Sequence, residues 1–146
     1  MRGGAGCVYL VGNGASASMA AHFAADLAKN GALLTRTLTE PAMLTALAND
    51  ARYEMVYAEP LRWWMNPADM LVCISSSGNS PNIVAAAAAA REKGGRVVTL
   101  SAMGADNRIR AQGDLNFYFP AETYGLAESA HAVLLHYWMD AVEASC

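Results

Sequence analysis

Charge is scarce in this chain. Lys, Arg, Asp and Glu make up only 16% of its 146 residues, against 54% hydrophobic residues, and the formal net charge is −3. With a pI near 5.5 there is no basic excess to meet a phosphate backbone, so no nucleic-acid partner is expected. Cysteine is scarce too. Cys7, Cys73 and Cys146 are too scattered for a disulfide framework and lack zinc-knuckle spacing, which fits a reducing cytoplasm. No apolar run approaches the length of a membrane span and no signal peptide is visible, so no membrane partner is expected. No repeat and no linker interrupts the chain, and its length suits a single domain over residues 1–146. So apolar a chain with so few charges implies that other copies cover much of its surface.

What the chain does have is alternation. Cys7 to Val11, Leu33 to Leu38, Met70 to Ile74, Arg96 to Leu100 and Leu115 to Phe119 read as strands. Helical segments lie between them: from Ala15 to about Lys29, Pro41 to Ala48, Arg52 to Met65, Ser80 to Lys93, and Gly125 to Ala144, with a short helix near Asp106 to Gln112. Asn49-Asp50 reads as the break between the second and third helices. Strands alternating with helices predict an α/β fold whose five-stranded parallel sheet is covered on both faces. The run Ala85 to Ala90 lies inside one helix, where alanine is the best helix former and allows close packing.

The densest chemistry lies at Cys73-Ile74-Ser75-Ser76-Ser77-Gly78-Asn79-Ser80-Pro81. A buried strand runs into hydroxyls and a helix start. Serine favours the N-cap, and proline tolerates the first helical position because its missing N–H would be unpaired there. Free backbone N–H groups and the positive end of the helix dipole collect at such a start. Together with the hydroxyls of Ser75, Ser77 and Ser80 they make an anion cradle suited to phosphate.

Gly12-Asn13-Gly14-Ala15-Ser16 is a second strand–loop–helix junction. Extended through Ala17, it partly mimics a dinucleotide-binding loop, with Glu40 as a late candidate for the ribose acid. The serine loop fits a single phosphate better than a pyrophosphate. In open parallel sheets ligands bind beyond the carboxyl ends of the strands, where both loops lie. His22 and Asp26 are four residues apart and share a helical face. Such a pair can bind a metal or share a proton, or simply stabilise a solvated helix face. The last helix carries Glu128, His131 and His136. Glu128 and His136 lie eight residues apart, roughly 12 Å along the axis. His131 is turned about 140° from His136 and reads as a packing or surface histidine.

The two loops together resemble the SIS (sugar isomerase) domain, through Val8 to Ser16 and Ile74 to Ser80. Within that family the chain is similar to the sedoheptulose 7-phosphate isomerase (phosphoheptose isomerase) group. Further likeness lies in His22-Phe23-Ala24-Ala25-Asp26, Ala48-Asn49-Asp50, Ala89 to Gly94 and the final helix through His136. The resemblance implies a three-layer αβα sandwich of flavodoxin-like form. It implies an aldose–ketose isomerase that interconverts sedoheptulose 7-phosphate and a heptose 7-phosphate in bacterial heptose biosynthesis. Asp26 and His136 would be the catalytic acid/base pair. A divalent metal, zinc by preference, would be held by His22, Asp26, Glu128 and His136. Ser75, Ser77 and Ser80 would hold the phosphate, with Ser16 and Asn79 beside them, and Asn13 and Asp50 would meet the sugar hydroxyls. A cytoplasmic homotetramer with sites at subunit boundaries is implied as well.

The chain departs from the group at several positions. Asp26 replaces a glutamate and Glu128 a glutamine, Asn30 falls where an arginine is frequent, and Gly125 falls where an aspartate meets the substrate. The group opens with a long helix ahead of the first strand. Here six residues precede Cys7, so the expectation is a truncated or differently assembled chain. The rival expectation is a non-catalytic relative, either a phosphosugar sensor or a scaffold for the bacterial replication initiator. Retention of both His22 and His136 favours the enzyme.

Overall fold

The apolar runs form a parallel sheet of order β2-β1-β3-β4-β5. The computed structural model describes residues 6–145; positions 1–5 and 146 of the expected single domain lie outside the described residues. The strands are β1 (Cys7–Gly12), β2 (Leu34–Thr37), β3 (Met70–Ser75), β4 (Arg96–Ala102) and β5 (Leu115–Phe119). The helices are α1 (Ala15–Lys29), α2 (Pro41–Asp50), α3 (Ala58–Trp64), α4 (Pro81–Glu92) and α5 (Tyr124–Ala144). Side chains alternate across a strand, so each central strand feeds two cores. Tyr9, Val11, Leu71, Cys73 and Val97 pack under α3 and α4, with α2 at the margin. Val8, Leu10, Val72, Ile74, Val98 and Leu100 pack under α1 and α5. The result is the expected three-layer αβα sandwich.

Several boundaries differ from the sequence reading, three of them for a clear local reason. The helix expected over Arg52 to Met65 is a 3-10 turn at Tyr53–Met55 followed by α3 from Ala58. Pro60 lies in the first turn of α3, where its missing N–H costs no helical bond; a helix begun at Arg52 would put it in the interior. α2 runs through Asn49 and Asp50 rather than ending before them. Its N-cap is Glu40, whose Oε2 accepts from the Met43 N–H at 2.9 Å, so the candidate ribose acid is a helix cap. β4 continues to Ala102, because Ala102 N–H donates to the Ser76 carbonyl beside the serine loop.

The alanine run packs as expected: Ala86, Ala87, Ala89 and Ala90 of α4 are fully buried. The α1/α5 face is less completely covered. Along α5 Leu126, Val133 and Tyr137 are 63%, 69% and 71% exposed. Beside them an almost wholly apolar cleft of about 220 Å³ runs between α5 and the β4–β5 edge, lined by Leu115, Phe117, Leu134, Tyr137 and Trp138 among others. Among the described residues no helix is long and apolar enough to cross a membrane.

Candidate active site

β1 and β3 are adjacent parallel strands, so their loops emerge side by side at the carboxyl edge. Gly12 lets the first loop turn tightly into α1: a Cβ there would lie 2.6 Å from the Ser16 backbone. In the second loop Gly78 has φ +62°, a left-handed conformation that favours glycine, and the Asn107 side chain fills the space a Cβ would need. Between the loops and the start of α5 lies a cavity of about 160 Å³, lined by Asn13, Ser16, Ile74, Ser75, Ser76, Ser77, Ser80, Tyr124 and Glu128.

The serine loop braces itself with its own hydroxyls. Ser75 Oγ accepts from the Gly78 N–H and Ser77 Oγ accepts from the Asn79 N–H, each at 3.2 Å. Both act as acceptors there, so each hydroxyl proton remains available to an anion. Ser80 occupies the N-cap position of α4, but its side chain makes no capping bond. That leaves its hydroxyl free of a capping bond at the cavity wall. Hydroxyls and a helix start converge there after a buried strand, an arrangement whose chemistry suits an anion.

Other expected residues sit differently. Asn13 lines the cavity, but its amide is already engaged with Asn82 of α4. Asn79 is outside the lining; its Oδ1 accepts from the Arg108 N–H at 3.0 Å and ties the loop to the following 3-10 turn. Asp50 is exposed at the end of α2 and accepts from the Asn49 amide at 2.9 Å, so within one chain it does not meet the cavity. The lining includes three residues to which the sequence reading gave no role, among them Ile74 near the end of β3. Ser76 belongs to the same serine run, and Tyr124 opens α5 one residue after its Thr123 cap.

A second cluster lies on the flank where α1 meets α5. His22 Nε2 is 3.3 Å from Asp26 Oδ2, and Lys29 Nζ is 3.9 Å from Asp26 Oδ1. The rings of His22 and His136 are 6.0 Å apart, and Phe23 contacts both edge-on, at 5.0 and 4.8 Å. Three of the four expected metal donors therefore share one patch. Glu128 does not join them, because it faces the serine cavity two helical turns away. Among the described residues no three His, Cys, Asp or Glu side chains converge to hold a metal ion. The four-donor set does not fit one ion within a single chain.

His131 is fully buried, not at the surface. Neither ring nitrogen has a hydrogen-bond partner of good geometry, and Phe119 meets the ring edge-on at 5.7 Å. Burial pushes its pKa below the ordinary 6.5, with the Ser101 backbone and the Glu128 charge pulling the other way. The cysteines in the core are chemically quiet: burial raises the Cys73 thiol to about 12, and burial and then Asp69 raise Cys7 to about 11.

The SIS domain profile matches residues 3–102, the stretch that carries both loops. The chain is 34% identical to a phosphoheptose isomerase of Aromatoleum aromaticum over 146 residues, covering 94% of this chain and 74% of that protein. It is likewise 34% identical to a phosphoheptose isomerase of Helicobacter pylori, with 94% and 74% covered. Its fold superposes on the structure of a phosphoheptose isomerase from Neisseria gonorrhoeae with TM-score 0.89 and 31% identity, covering 95% of this chain and 77% of that one. The chain belongs to the SIS-domain family, in its phosphoheptose isomerase group. The profile of the SIS domain ends at Ala102, ahead of β5 and α5. Glu128, His131 and His136 of this SIS-domain protein thus lie beyond the part that defines the wider family.

Proposed function

We propose that this SIS-domain protein is an aldose–ketose isomerase that interconverts sedoheptulose 7-phosphate and a heptose 7-phosphate for heptose biosynthesis. The observation that carries the reading is the serine cavity: a phosphate cradle joined in one wall to the α5 helix that also bears His136. The phosphoheptose isomerases to which the chain is similar supply the substrate class. In the reaction a proton leaves C1 of the ketose and O2 takes up a proton, which gives the enediol; a proton then returns to C2 while O1 gives up its hydroxyl proton and becomes the aldehyde oxygen. Substrate and product are isomers, so no co-reactant is consumed. Asp26 and His136 are the proposed acid/base pair, and the serine loop holds the phosphate at the far end of the sugar.

Assembly is part of the proposal. The exposed Leu126, Val133 and Tyr137 stripe and the apolar cleft beside it are suited to burial against further copies in a cytoplasmic homotetramer. A divalent metal, zinc by preference, is proposed for the assembled protein only. The donors do not close on one ion in a single chain. The open donor set favours a second reading, a non-catalytic phosphosugar-binding protein. A panel of five-, six- and seven-carbon ketose phosphates, assayed with and without added divalent metal, separates the two. Turnover of the seven-carbon substrate supports the isomerase. Tight phosphosugar binding without turnover of any member, in metal-loaded protein, supports the sensor or scaffold.

A further inference from the structure

Asn82 is the second residue of α4 and is 2% exposed. Its Nδ2 donates to Asn13 Oδ1 at 2.8 Å, and its Oδ1 accepts from Asn13 Nδ2 at 2.9 Å. This reciprocal amide pair joins the serine-loop helix to the glycine loop across 69 residues of sequence. Its orientation is fixed by the backbone. The Ile83 N–H, which can only donate, points at Asn82 Oδ1 at 3.1 Å. Asn82 must therefore present its NH2 to Asn13 Oδ1. Tyr53 then has to donate its hydroxyl to the same Oδ1, at 3.3 Å. One residue earlier, the buried Tyr57 donates to the Gly12 carbonyl at 2.6 Å.

Both lone pairs of Asn13 Oδ1 are thus taken, and one of its two Nδ2 hydrogens is taken as well. Asn13 keeps a single N–H donor at the cavity it lines, and no acceptor. We propose that Asn82 is a positioning residue that acts through Asn13: the amide pair fixes the glycine loop relative to the phosphate cradle and commits Asn13 to contact an acceptor oxygen of the sugar. The proposal rests on the isomerase reading for its substrate but not for its geometry. Asn82 touches no cavity wall itself, so its effect on turnover passes through the residue it holds.

The test uses the full chain, with Asn82→Ala and the isosteric Asn82→Asp, each also made in an Asn13→Ala background. In the single variants kcat/KM for sedoheptulose 7-phosphate is expected to fall about tenfold or more, as a misplaced binding group does. Inorganic phosphate affinity of Asn82→Ala, measured by calorimetry, is expected to change less than about twofold, since the serine loop is untouched; Asn82→Asp is left out of this reading because its charge lies beside the anion. Amide hydrogen exchange at residues 12–17 should speed up in both single variants. In the Asn13→Ala background neither substitution should reduce kcat/KM further, the non-additivity of residues that act as a unit. Equal losses in both backgrounds would overturn the proposal, as would wild-type exchange at residues 12–17. If Asn82→Ala does not fold, Asn82→Asp gives the same turnover and exchange readings. If the wild-type protein turns over no ketose phosphate, the exchange readout still decides the clamp, so the two ideas fail separately.

Discussion

The serine cavity and the histidine flank both belong to α5, yet they differ in how much one chain completes. The cavity's hydroxyls, helix start and glycine loop come together through contacts within the chain, and each braces the next. On the flank, His22 and Asp26 pair with each other, His136 stands a ring's breadth away, and Glu128 faces elsewhere. A phosphate site can be finished locally, because backbone N–H groups and hydroxyls next to one strand suffice. Acid/base chemistry needs side chains from distant elements in register with a substrate, and that register is the part most exposed to a change of assembly.

The comparison breaks most sharply at His136. Replacing it by alanine is expected to lower turnover by on the order of 10²-fold or more, as loss of an acid/base group does, while inorganic phosphate affinity survives. A turnover within twofold of wild type would remove His136 from the chemistry and leave the flank a packing surface. The reciprocal experiment is Ser77→Ala. It should weaken phosphosugar binding by roughly 1–3 kcal/mol through loss of a charge-assisted hydrogen bond. Unchanged calorimetric affinity in Ser77→Ala would move the phosphate out of the serine loop.

Assembly tests whether the flank is completed from outside. Light scattering at micromolar concentration should report a tetramer for the wild-type protein and smaller species for Tyr137→Asp, which puts a charge on the exposed stripe of α5. A wild-type monomer would contradict the proposed burial of that stripe. The smallest effect is on stability. Burial holds the His131 pKa below 6.5, so the unfolded chain binds a proton that the folded chain resists. Stability contributed in this way is present above that pH and is lost as the pH falls through it. Melting temperature should therefore drop on acidification from pH 7 to 5, and the drop should be shallower in His131→Leu; identical slopes in the two proteins would place the pH dependence elsewhere.

Much of this was legible in the sequence where the determinants are local. β1 and β3 are near-continuous apolar runs because helices cover both their faces, and β4 is mostly buried too, though Thr99 and Ser101 interrupt its apolar run. The serine cavity could be read because strand, loop and helix start are contiguous. Pro60 was the available signal for a break before α3, since a proline belongs in a helix's first turn. The Asn13–Asn82 pair and the Tyr57 bond to Gly12 were not legible, because their partners lie 69 and 45 residues apart and only the folded sheet brings them together. His131 fell between the two cases. Helical spacing gave its angle relative to His136 correctly, but whether that angle faces water or the ends of β4 and β5 is a tertiary fact.

α5 is a single unbroken helix of 21 residues. It supplies Tyr124 and Glu128 to the cavity, His131 to the core, His136 to the flank and Val133 and Tyr137 to the uncovered side. Such a rod has few independent degrees of freedom. A slide of one residue's rise, about 1.5 Å, or a small roll about its axis shifts all these stations together. The proposed binding and proton-transfer roles therefore cannot be retuned one at a time by moving α5; each adjustment must come from the side chains, with the helix itself held to a compromise among all four stations.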